Sequence, residues 1–159
     1  MSQLDNLIRR LMTQRACLER AVGLIAAVPG VALELGWGDG AAYDHLREIL
    51  RRREIIVFDD RIGAADSAAP LLEHCVTGDL RETLPQAWER FRRSAALAHL
   101  NFPITESPRL AAEIAPLVAP LLRPGAIVVS ETALELPGWQ ALPPPEGVRE
   151  GRHHLYRAS

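Results

Sequence analysis

Seven residues, Glu34-Leu-Gly36-Trp-Gly38-Asp-Gly40, constrain the fold more than any other stretch of this chain. They follow a short apolar run, Val31-Ala-Leu-Glu-Leu, and precede a helical pattern from Ala41 to about Arg53 with Ala42, Leu46, Ile49 and Leu50 inward. An apolar run without polar alternation is how a parallel strand buried on both faces reads. Glycines at two-residue steps let the backbone turn tightly and let a ligand lie against bare main chain. The helix start behind them supplies free N–H groups and the positive end of a dipole. In an open parallel sheet, ligands sit at the carboxyl ends of the strands, near the switch in strand order.

The rest of the chain repeats the alternation. Leu4, Leu7, Ile8, Leu11, Leu18, Val22 and Ile25 recur at three- and four-residue steps and predict an amphipathic helix over 3–28, stopped by Pro29-Gly30. Ile55-Ile-Val-Phe predicts a second strand ending in Asp59-Asp60, and residues 66–74 a short helix. His74-Cys-Val-Thr reads as a third strand before Gly78-Asp79, and Pro85 to about Ser94 as a helix with Thr83 or Leu84 near its cap. Ala95–Leu100 reads as a fourth strand. Ser107-Pro108 opens a helix to about Leu122 that Pro116 and Pro120 must kink or break. Arg123-Pro-Gly turns the chain into a fifth strand, Ala126–Ser130, and the proline-richer tail offers one or two closing strands. The expected architecture is α/β: a Rossmann-like, doubly wound, mostly parallel sheet with helices on both faces, a three-layer sandwich. At 159 residues this is one domain, with an N-terminal helix (1–29), a core (30–130) and a closing segment (131–159).

A formal net charge of −2 and a pI near 6.2 argue against a nucleic-acid binder, which carries a basic excess. The runs Arg51-Arg52-Arg53 and Arg90, Arg92, Arg93 read as solvated helix ends. Cys17 and Cys75 belong to no CxxC pair, so structural zinc is set aside and two free thiols in a reducing cytoplasm are expected. The sequence offers neither a signal peptide nor an apolar run of membrane-spanning length.

The glycine stretch resembles the first motif of class I S-adenosylmethionine-dependent methyltransferases, an acidic residue followed by Gly-x-Gly-x-Gly. It looks closest to short bacterial members whose loop runs on into Tyr-Asp-His-Leu, as in Tyr43–Leu46. The resemblance implies S-adenosyl-L-methionine as cofactor. Glu34 would hold the ammonium, often through water, while Gly36, Trp37, Gly38 and Gly40 would form the loop beneath the ligand. Asp59 would take the ribose hydroxyls, with Asp60 its rival. Asp79 would accept from the adenine amino group, and the backbone of Leu80 would reach the ring. A nicotinamide-binding loop would place its third glycine one residue later.

Methyl transfer to a small-molecule or protein acceptor is the expected reaction, with no metal. A cofactor-binding module without catalysis and a nicotinamide-linked reductase are the alternatives. His99 and Asn101, near the end of the fourth strand, are the candidate catalytic groups; a structural His99 competes with that role. With few residues to spare for a substrate cap, the apolar face of the first helix either covers its own sheet or joins a homo-oligomer.

Overall fold

The computed structural model describes residues 1–61, 74–102 and 105–159. The expected helix at 66–74 falls almost wholly outside them. The elements are α1 (Gln3–Leu24), β1 (Val31–Leu35), α2 (Ala41–Ile49), β2 (Ile55–Asp59), β3 (Cys75–Thr77), α3 (Leu80–Phe91), β4 (Ala95–Leu100), α4 (Ser107–Val118), β5 (Leu122–Ser130), β6 (Trp139–Leu142) and β7 (His154–Ala158).

The seven strands form one sheet in the order β3-β2-β1-β4-β5-β7-β6. The five strands from β3 to β5 are parallel; β7 pairs antiparallel with β5 and β6 antiparallel with β7. The fold is therefore the mostly parallel α/β sheet expected, with the tail supplying both closing strands. From β1 the chain winds outward to β2 and β3, then returns to place β4 on the other side. That reversal between β1 and β4 opens the crevice where such sheets bind ligands.

Among the described residues, each sheet face carries two α-helices. On one, Cys17, Leu18, Ala21 and Ile25 of α1 and Leu46 of α2 pack over Ile55, Val57, Leu97, Ile127 and Val129. On the other, Leu84 and Phe91 of α3 and Ile114 and Val118 of α4 pack over Leu33, Ile56, Phe58, Leu100 and Val128. Every residue of β4 is buried. Its three alanines leave room for helices on both sides, which is why its pattern carries little bulk.

Several boundaries differ from expectation for identifiable reasons. Helix α3 starts at Leu80, not Pro85, because the Asp79 side chain accepts from the Arg81 N–H and caps it; Pro85 sits inside the helix. Pro116 is held within α4, and around Pro120 the chain continues as a 3₁₀ turn over Ala119–Leu121. Arg53 is not a solvated helix end. Its guanidinium donates to the carbonyls of Val28 (2.9 Å), Gly30 (2.7 Å) and Ile25 (3.2 Å), tying the chain beyond α1 to the start of β1.

Helix α1 is divided. Its C-terminal half is buried, whereas Leu4, Leu7, Ile8, Leu11 and Met12 are about half exposed or more. Leu7 and Leu11 of the N-terminal half line a cleft at the carboxyl ends of β1, β2 and β4.

Candidate cofactor site

A cleft of about 750 Å³ opens at the carboxyl ends of β1, β2 and β4. On one side lie Gly36, Trp37, Gly38, Asp39, Ala41 and Ala42 of the loop and α2, then Asp59, Asp60, Asp79 and Leu80. Beyond the loop lie Leu7, Arg10, Leu11 and Gln14 of α1, with Asn101, Phe102, Glu106 and Leu110. Its volume is within the ordinary range for small-molecule sites.

The three loop glycines have different roles. A Cβ on Gly36 (φ +95°) would lie 2.1 Å from the Asn101 carbonyl oxygen, so this glycine lets β1 and the end of β4 meet. A Cβ on Gly40 (φ +84°) would strike the Trp37 ring at 2.7 Å. Gly40 is the left-handed N-cap of α2 and stands behind the residues that line the cleft. A Cβ on Gly38 (φ +59°) would be in ordinary contact with Asn101 Nδ2 at 3.8 Å, and the bare backbone here lines the cleft. Trp37 packs against Tyr43 with ring centroids 5.2 Å apart, which sets the loop's course.

Asp59 supports this loop. Its Oδ2 accepts from the Trp37 N–H and its Oδ1 from the Arg61 N–H at 2.7 Å. A carboxylate offers about four lone-pair positions, so capacity remains beyond these two bonds. Asp60 is more exposed and stands 3.8 Å from Arg61. Asp79 caps α3 through Oδ1 and lines the cleft beside Leu80.

Glu34 departs from its expected place. It is fully buried, does not line the cleft, and both its oxygens engage His99 Nδ1, at 2.8 and 3.0 Å. The two residues are register partners on neighbouring strands, pointing to the α1 face. An ionised carboxylate only accepts, so Nδ1 donates to Glu34, and in the neutral imidazole Nε2 is then the acceptor. Gln14 Nε2 lies 3.5 Å from that nitrogen and 3.4 Å from Asn101 Oδ1. His99 is thus one side chain removed from the cleft, and Asn101 reaches it directly.

Sequence reasoning missed α1 as a wall of the site. Arg10 spans to Glu131 at the end of β5 with a bidentate pair, 2.7 and 2.8 Å, and Gln14 stands one turn further on. Both flank an apolar stripe, a signal that identifies a helix face but not its target. Nearby, His153 is 4% exposed with Nδ1 unpartnered, and burial pushes its pKa down to about 4 against the opposing pull of Glu131. Among the described residues no group of three or more His, Cys, Asp or Glu side chains is arranged to hold a metal ion, and no helix is long and apolar enough to cross a membrane.

Residues 1–158 match the family described as S-adenosyl-L-methionine methyltransferase. The fold superimposes on an S-adenosyl-L-methionine methyltransferase from Silicibacter pomeroyi DSS-3 with a TM-score of 0.92 and 38% identity, covering 100% of this chain and 99% of that one. More distant likenesses are to CalS11, a TDP-rhamnose 3′-O-methyltransferase of calicheamicin biosynthesis (TM-score 0.62, 17% identity, 92% of this chain and 79% of that one), and to the antibiotic-resistance methyltransferase Kmr (0.54, 16%, 91% and 92%). At these identities the last two show the fold alone. No curated protein matches the sequence.

Proposed function

The chain belongs to the S-adenosyl-L-methionine methyltransferase family, and from that premise we propose how its residues divide the work of methyl transfer to an acceptor. It is an S-adenosyl-L-methionine-dependent methyltransferase, and the cleft suits the cofactor's chemistry. The ligand carries an ammonium, a sulfonium, a ribose diol and an adenine amine, all cations or hydrogen-bond donors. The cleft is lined by Asp39, Asp59, Asp60, Asp79 and Glu106 against three arginines.

The observation that carries the assignment is Gly38, whose bare backbone faces the cleft between these carboxylates. Gly36, Trp37 and Gly38 form the floor, and the N-terminus of α2 offers N–H groups and its dipole to the ligand's carboxylate. Asp59 takes the ribose hydroxyls with its remaining lone pairs while holding the loop, and Asp60 flanks it at the mouth. Asp79 and Leu80 receive the adenine. Glu34, buried behind the loop, contributes negative potential to the cationic ligand and acts chiefly through His99.

When bound, the cofactor supplies a methyl group on sulfonium, open to in-line attack. The protein's task is to hold a nucleophile in near-attack geometry. Asn101 faces the cleft and orients that group. His99, locked by Glu34 in the tautomer that leaves Nε2 as an acceptor, is the reservoir for a proton given up by the nucleophile. Gln14 Nε2, 3.5 Å from His99 Nε2, stands between that nitrogen and the cleft.

The whole chain serves as one domain, with 30–130 as the cofactor-binding core. Leu4, Ile8 and Met12 of α1, turned away from the cleft, are suited to a homo-oligomer contact. Cys17, a buried free thiol, suits a reducing cytoplasm.

Calorimetric titration tests the site. S-adenosylmethionine should bind and nicotinamide dinucleotides should not. Asp59→Ala and Asp79→Ala should each weaken binding tenfold or more, and wild-type affinity in both would refute the assignment.

A further inference from the structure

We propose that the half of the cleft beyond the glycine loop takes an apolar-bodied acceptor bearing one hydroxyl or amine, and excludes acceptors bearing phosphate or carboxylate. The proposal rests on the cofactor filling the loop-side half.

Leu7, Leu11, Phe102 and Leu110 give this half an apolar part beside Arg10, Gln14, Asn101 and Glu106. Leu7 and Leu11, each 47% exposed, face the cleft from α1, and Phe102 and Leu110 line it from beyond β4 and from α4. One exposed leucine needs no explanation. Four apolar side chains converging on a cavity beside a few placed polar groups are the makings of a ligand pocket. The polar groups here are the amides of Gln14 and Asn101, with His99 Nε2 behind them. Their contacts, 3.4 and 3.5 Å, are long for hydrogen bonds. A hydroxyl or amine placed among them could donate to Asn101 Oδ1 and accept from Gln14, improving on both contacts.

The charges argue against an acidic acceptor. Each arginine lining the cleft already has a carboxylate beside it: Arg10 is bidentate with Glu131, Arg81 lies 2.6 Å from Glu113, and Arg61 is 3.8 Å from Asp60. Among the described residues, an anion entering this half would meet no uncommitted cation lining the cleft and would face Glu106 at its rim. Phosphate recognition requires the reverse, a free guanidinium or ammonium.

The test uses the full chain with S-adenosylhomocysteine, whose binding is measured first by calorimetry. With that ligand saturating, 2-naphthol and 2-naphthyl phosphate are titrated in turn. Naphthol should bind at least tenfold more tightly than its phosphate ester. Leu11→Asp should cut naphthol affinity at least tenfold while leaving S-adenosylhomocysteine affinity unchanged, and Leu7→Asp, checked for folding by circular dichroism, should repeat the effect. Equal or tighter binding of the ester, no naphthol binding, or naphthol affinity unmoved in both variants would overturn the proposal. Failure of S-adenosylhomocysteine to bind wild-type protein would instead refute the cofactor placement, and this inference with it.

Discussion

Replacing Glu34 with alanine separates what the loop motif implies from what the fold shows. If the carboxylate gripped the cofactor from the cleft, Glu34→Ala would weaken binding and leave the chain stable. The carboxylate is instead fully buried against His99 Nδ1 at 2.8 Å. Deleting one partner of a buried pair strands the other and costs about 3–5 kcal/mol. Against the roughly 5–15 kcal/mol that holds such domains together, the variant stays folded but marginal. At about 2–4 °C per kcal/mol for a chain of this size, its melting temperature falls by roughly 6–20 °C. Glu34→Gln keeps an acceptor for the Nδ1 proton but buries an unmet amide N–H, a cost of about 1–3 kcal/mol. The double variant Glu34→Leu/His99→Leu removes both polar groups and should recover most of the loss of Glu34→Ala. Urea unfolding followed by circular dichroism at pH 7.5 gives these differences, and calorimetry with S-adenosylhomocysteine runs alongside. Wild-type stability in Glu34→Ala together with abolished cofactor binding would refute the buried-pair reasoning.

Gly36→Ala, whose Cβ would sit 2.1 Å from a backbone oxygen, should fail to yield folded protein. Gly38→Ala, whose Cβ would make only an ordinary contact with Asn101, should lose only about 1 kcal/mol for its positive φ yet bind cofactor at least tenfold more weakly. Expression yield and calorimetry distinguish them. His153 has a folded pKa of about 4 against an ordinary 6.5, so the unfolded chain takes up its proton first. Its contribution is complete above about pH 6.5 and is lost as pH falls towards 4, by up to about 3 kcal/mol. His153→Met should flatten that part of the wild-type stability profile between pH 7.5 and 4.5, and parallel profiles would disprove the burial argument. Arg53→Met removes three charge-assisted hydrogen bonds to carbonyls and should cost roughly 2–4 kcal/mol in urea unfolding.

The sheet was legible because its strands are apolar runs ending at glycines and carboxylates, and each such ending marks a loop at the binding edge. The places of Gly38, Asp59 and Asp79 were legible for the same reason: each lies at or within a few residues of a strand end, and all three line the cleft. Glu34 misled because its sequence position gives its strand and face but not its cross-strand neighbour, and His99 lies 65 residues away. The resemblance implies only an adenine contact for Asp79, and its task of starting α3 was hidden by Pro85. Gln14 and Arg10 carried no signal, since a polar residue on an amphipathic helix looks solvent-facing until the helix is docked.

Helix α1 is fixed to the sheet by Arg53 at its far end and by the Arg10–Glu131 clasp near the cleft. Leu7, Arg10, Leu11 and Gln14 line the cleft from it. On the proposed placement of the acceptor, its choice changes through the opening turns of the chain. Grafting that segment between relatives becomes a direct route to exchanging their preferences.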